Sequence, residues 1–180
     1  MTTTTPPAFP PASVPKRLLS ICYDALLLAA VLFLAMAALL IILQGHSPKG
    51  GNPLMSGYLL LVSYLFFGWF WTHGGQTLGM RAWKLKLQQA DGHAVSLLQA
   101  GIRFLTALPA WLVTIIGIAE VSSIPLQSHA WLHWLEQLPD GLVLLAGVIW
   151  LLMDQRPGNW REKLSGTEVI QLRQRTEVPD

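Results

Sequence analysis

The chain is 180 residues long, 52% apolar by residue type and only 12% charged, with a mean hydropathy of +0.45. A water-soluble domain carries about 25% charged residues, so water is not the solvent for most of this surface, and a net charge of +2 is too small for a nucleic-acid footprint. The single Cys22, set within an apolar run, excludes an intramolecular disulfide and a cysteine-based zinc site.

Residues 1–15 carry no charged side chain and are almost entirely Thr, Pro, Ala and Ser. Such a stretch buries too little apolar surface to fold by itself, so a disordered tail is expected. It does not read as a secretory signal, because Lys16 and Arg17 come late and the apolar run behind them is too long. That run, residues 18–43, is 26 residues long, and about 20 suffice to cross a hydrocarbon core of about 30 Å. Turn-forming residues at 44–53 end it. Residues 54–72 form a second span, with Trp69 and Trp71 at one end, where indoles favour the membrane interface. A polar segment at 73–100 follows, then a third apolar run at 102–118 containing Pro109, which is expected to kink it. Residues 122–140 are polar with embedded Trp131 and Trp134 and suit a helix lying flat in the interface. A fourth and shortest span is expected at 142–153, before a charged segment and a second tail at 173–180.

Positive residues near span ends resist translocation, so Lys/Arg counting gives an orientation. Eleven of the bases fall on one side of the four expected spans, and Lys49 stands alone on the other. Both termini and the 73–100 segment are therefore expected to be cytoplasmic.

An ionisable side chain inside lipid costs about 2.5–3.5 kcal/mol at a helix centre on insertion scales, which makes Asp24 the first candidate for a functional group. Arg17 lies seven residues before it, on the same helical face and about 10 Å away along the axis. Arg103 opens the third span and Asp154 closes the fourth, so four charges of two signs are expected to converge near one membrane face. Two readings stand side by side. In one, Asp–Arg pairs fix helix register and carry nothing; in the other, Asp24 is a proton or cation site.

Three groups of residues carry a resemblance to a known family. These are Pro15-Lys16-Arg17 followed by Asp24; Gly75, Thr77, Leu78, Gly79 and Arg81 with Asp91, Gly92 and Arg103 downstream; and Trp160-Arg161-Glu162-Lys163 with Gly166 and Thr167 in the tail. Over residues 15–170 the chain resembles the RDD family of small integral membrane proteins. Arg17 and Asp24 match the Arg and the first Asp of the name; for the second Asp, Asp154 and Glu162 both stand as candidates. The resemblance implies cation or proton-coupled transport, or an assembly role within a larger membrane complex.

Other patterns have plainer readings. Residues 74–79 have the glycine spacing of a phosphate loop, but Met80-Arg81 follows where Lys and Ser/Thr are needed. Residues 81–88 alternate, with Trp83, Leu85 and Leu87 on one side, and 167–172 is a β-prone run that could pair with them. A small hairpin touching anionic lipid heads is expected there, or a surface amphipathic helix. His129, His133 and Glu136 have helical spacing that could meet a metal, and the same spacing suits an interfacial helix. No Ser or Cys stands in a nucleophilic context.

The sequence thus predicts an all-α membrane protein. A bundle of four transmembrane helices over 16–172 carries a small, partly β cytoplasmic segment, in a bacterial inner membrane. No enzyme activity, cofactor or metal is expected. The partners expected are the lipid bilayer and either further copies of the chain or a larger membrane protein, since four short spans leave little room for a closed pathway. Gly57, Gly68, Gly141 and Gly147 would let helices approach closely at such contacts. The function expected is transport of a small cation or proton-coupled solute at Asp24; the alternative is a non-catalytic accessory or assembly subunit.

Overall fold

The computed structural model describes residues 10–46, 52–122, 138–139 and 141–172. In chain order the elements are α1 (Val14–Ile42), α2 (Pro53–Thr72), α3 (Leu78–Ala82), β1 (Leu85–Gln89), α4 (Leu97–Val121), α5 (Leu142–Asp154), α6 (Trp160–Ser165) and β2 (Thr167–Gln171). Local chemistry sets their ends. Pro53 opens α2 at a position that lacks a helical acceptor, and Asn52 caps it by accepting from the Leu54 N–H at 2.9 Å. Ser96 and Gln99 form a reciprocal capping box on α4. Gly166, with φ +62°, ends α6 in the left-handed region.

Among the described residues three helices, α1, α2 and α4, are long and apolar enough to cross a membrane. The fourth expected span is not one of them. α5 has 13 residues, and at 1.5 Å per residue it rises only about 20 Å. It packs along α4 and brings the chain back to the end where α4 begins, since Asp154 at its close lies by Arg161, which bonds the Arg103 carbonyl. Gly117 of α4 faces the Leu144 backbone, and a Cβ built on Gly147 of α5 would lie 2.6 Å from Thr114 Oγ1. Of the four glycines expected at helix contacts, Gly147 makes such a contact within the chain. Gly57 has nothing nearby, and Gly68 and Gly141 meet only side-chain atoms at ordinary distances. α4 continues through Pro109 as one element.

The pairing expected between the alternating run and the 167–172 run is present. β1 and β2 are antiparallel, from Leu85 opposite Gln171 to Gln89 opposite Thr167. Leu85 and Leu87 are buried, but Trp83 is 37% exposed and stands outside the strand. The expected tail also needs correcting at its inner end. Pro11 bridges Ile170, the Ala12 N–H donates to the Val169 carbonyl at 3.1 Å, and Ala12 is fully buried. The backbone of β2 offers an edge that a proline-rich segment can cover even without side chains to bury. The expected interfacial helix at 122–140, the His129, His133 and Glu136 group, Lys49 and the 173–180 tail lie outside the described residues, apart from Ser122, Leu138 and Pro139.

The apolar core gathers Ala12, Trp71, Met80, Leu85, Leu87, Val95, Ala100, Phe104 and Val169. It therefore lies under the β pair, at the end of the bundle where the bases cluster. The long helices show the opposite pattern, because lipid takes the place of a protein core there. On α1 the buried residues are Arg17, Ser20 and Asp24 alone. Their spacing of three and four places them on one face, so the polar stripe of α1 is its docking surface.

The loop between β1 and α4 turns at Asp91 and Gly92, where Gly92 has φ +88°. The His93 backbone N–H donates to Asp91 Oδ1 at 3.1 Å and holds that carboxyl below the usual carboxylate range. A lowered carboxyl contributes order at neutral pH and loses it as the pH falls through its lowered value. Protection of the His93 amide, relative to its intrinsic exchange rate at each pH, is expected to fall only in acid, and the Asp91→Asn variant is expected to lose that acid dependence.

Candidate functional site: the charged end of the bundle

Arg17 is 4% exposed, so each of its nitrogens needs a partner. Nη1 donates to Glu162 Oε1 at 2.6 Å, Nε to the Ala12 carbonyl at 3.1 Å and Nη2 to the Val169 carbonyl at 3.0 Å. Glu162 is equally engaged. Its Oε2 accepts from the Gly158 N–H at 2.7 Å, and Oε1 also accepts from the Val169 N–H at 3.3 Å. One ion pair thus joins α1, the segment before it, α6 and β2.

A second group surrounds Asp154. Its Oδ1 accepts from Trp160 Nε1 at 2.7 Å, and its Oδ2 lies 3.8 Å from Arg161 Nη1. Burial pushes the Arg161 guanidinium below its ordinary value, and the carboxylates of Asp154 and Glu162 push it back up. Arg161 Nη2 also donates to the Arg103 carbonyl at 3.4 Å, tying α6 to α4. Arg103 itself is buried. Its Nη1 donates to Thr167 Oγ1 at 2.9 Å, and its guanidinium carbon lies 6.0 Å from the Trp71 ring centroid.

Asp24 stands apart from these bases, contrary to the expected convergence. Its Oδ2 accepts from Thr77 Oγ1 at 2.5 Å and its Oδ1 from the Gly79 N–H at 2.9 Å. Among the described residues no Lys, Arg or His is in ion-pair range of it. Thr77 caps α3, because its Oγ1 also accepts from the Met80 N–H at 3.1 Å. Gly79 has to be glycine here, since a Cβ would lie 2.9 Å from the Asp24 carboxyl carbon and against the Ser20 carbonyl.

The depth of Asp24 follows from the helix directions. Tyr58 Oη donates to the Ala35 carbonyl at 3.1 Å, while Gly79, further along the chain, meets Ser20 and Asp24. α1 and α2 are therefore antiparallel. The α1 stretch from Asp24 to Ile42 and the whole of α2 each rise about 28 Å at 1.5 Å per residue. Asp24 is thus level with the end of α2, near one face of the spans, and the first turns of α1 project beyond it.

The sequence-level candidates therefore fall into two sets. Arg17 with Glu162, Asp154 with Arg161, and Arg103 with Thr167 form one network joined through the backbone of α6 and β2, in which Asp154 Oδ2 and Arg161 Nε have no hydrogen-bond partner among the described residues; Asp24 with Thr77 and Gly79 forms a separate latch. Of the two candidates for the second acid, Glu162 meets Arg17 and Asp154 does not. Gly75, with φ +71°, is a turn whose carbonyl accepts from the Leu87 N–H at 2.6 Å, so the glycines at 74–79 serve chain direction and a helix cap. Leu78 and Arg81 are exposed. Sequence reasoning gave Arg161 and Asn159 no structural role. The Asn159-x-x-Glu162 spacing carried that signal, because Asn159 Oδ1 caps α6 at the Glu162 N–H.

The model of the RDD family matches residues 11–165, most of the chain and every residue of the network except Thr167 and Val169. The chain belongs to the RDD family. No curated protein and no solved structure matches this RDD protein. It is mostly helical, with apolar helices suited to a membrane.

Proposed function

We propose that this RDD protein is a non-catalytic accessory or assembly subunit of a membrane complex, whose charges clamp its own fold. The observation that carries this reading is that Arg17, Glu162 and Asp24 spend their buried polar atoms on partners within the chain. A transport site needs ligand atoms free to take up and release a cargo, and these carboxylates are already occupied. Further copies of the chain or a larger membrane protein are its partners in this reading. The excess of bases at one end supports a bacterial inner membrane, with both termini cytoplasmic.

One observation favours the second reading, proton or cation transport at Asp24. That carboxyl is 5% exposed, and its two described donors are both neutral. Proteoliposomes separate the two. The accessory reading expects no proton or sodium flux from the purified protein, co-purification with a membrane partner, and a melting loss on Asp24→Asn. That loss should be about 1–3 kcal/mol, because an amide cannot accept from both donors without turning its own NH2 group toward one of them. Flux by the natural protein that Asp24→Asn abolishes at unchanged melting temperature would establish transport instead.

A further inference from the structure

The segment from α3 into β1 carries two exposed bases and two exposed apolar side chains that neither reading uses. Arg81 and Lys84 are exposed, and between and beside them Leu78 is 40% and Trp83 37% exposed. Among the described residues no carboxylate pairs with either base. Two features show that this group is held in place. The Asp24 latch ties α3 to α1 at the level where α2 ends. The Lys84 carbonyl accepts from the Leu172 N–H at 2.8 Å, and Gln171 Nε2 donates to the Trp83 carbonyl at 3.2 Å. Lys84 has φ +54°, an uncommon conformation for a side chain with a Cβ, and it turns the chain sharply between α3 and β1.

An indole and a leucine beside two bases, at the boundary depth of two spanning helices, match the chemistry of a lipid headgroup layer. Indole rings favour that layer, and bases favour its anionic members. We propose that Arg81 and Lys84 bind the phosphate of an anionic glycerophospholipid, with Leu78 and Trp83 set into the acyl boundary beside it. The proposal is independent of whether the protein transports. Lys16 and Lys163 are also exposed, but they flank Arg17 and Glu162, about 10 Å further from the spans at 1.5 Å per residue, and take no part.

The test uses the full chain in nanodiscs of phosphatidylcholine mixed with phosphatidylglycerol, with lipids retained by the protein counted by native mass spectrometry. The natural protein is expected to retain phosphatidylglycerol preferentially, and R81Q/K84Q to lose that preference by about tenfold or more, since each base contributes about fivefold. K16Q/K163Q is expected to keep it. Equal loss in K16Q/K163Q, or an unchanged preference in R81Q/K84Q, overturns the proposal. Should R81Q/K84Q fail to assemble, K84Q alone and a salt series on the natural protein decide: the preference must fall with K84Q and collapse in molar salt, where the Debye length is about 3 Å. Displacement of the bound lipid by free glycerol phosphate would show that a soluble phosphate ligand is the occupant, and would also overturn it.

Discussion

Arg17→Met is expected to destabilise the protein by about 3–5 kcal/mol, the cost of leaving one member of a buried ion pair without its partner. Glu162 would keep its place, 7% exposed, with a full charge and no cation opposite. The Ala12 carbonyl would lose its guanidinium donor at the same time, and the Val169 carbonyl would keep only the Ala12 N–H. The double variant R17M/E162M tests the cause. Removing both charges should recover part of the loss, but not all, because the Gly158 and Val169 N–H groups lose their acceptor. Thermal melting in detergent, followed by circular dichroism, reads both. An Arg17→Met protein that melts with the natural one would disprove the clamp, and with it the main support for the accessory reading.

The second large effect lies between α4 and α5. A Cβ at position 117 would run into the Leu144 backbone, and one at 147 would meet Thr114 at both its backbone and its hydroxyl. Backbone cannot turn aside as the tip of a long side chain can, so the helices must separate. Gly117→Ala and Gly147→Ala are each expected to cost about 1–3 kcal/mol, the usual penalty of overpacking. Together they should cost less than their sum, because the first displacement opens space for the second. Melting of the two single variants and the double gives the coupling directly. Additive losses would mean that the two glycines do not share one packed interface.

α5 is shorter than a full membrane span, and this close contact explains how it is held. A thirteen-residue apolar helix has little length along which to bury itself. Gly117 and Gly147 let it lie against α4 at backbone distance, which compensates by proximity. The run 142–153 showed its apolar character but not its packing partner, because composition alone does not say which helix a short apolar run lies along.

At the charged end, legibility depended on sequence distance. Arg17, Asp24, Arg103, Asp154 and Glu162 could all be picked out, because charges beside apolar runs are conspicuous. Their partners could not. Arg17 and Asp24 share a helical face, as their spacing required, yet one reaches α6 and β2 while the other reaches α3. The alternation through Leu85 and Leu87 made β1 readable, since period two survives in a short strand. Trp83 fell outside it because the backbone at Lys84 turns to positive φ, which a hydrophobic pattern does not record.

Amino-acid order alone determined that this chain has apolar helices of membrane length, a polar segment with an alternating run, and an uneven placement of bases. Each follows from local periodicity or from the cost of charge in lipid, and neither needs a distant partner. Only the tertiary structure decided which acid meets Arg17, that Asp24 holds α3 level with the end of α2, and that the apolar core lies under the strands. Those outcomes depend on residues 53 to 152 positions apart in the chain being brought within hydrogen-bond reach, and such closure is set by the packing of whole elements rather than by any local stretch.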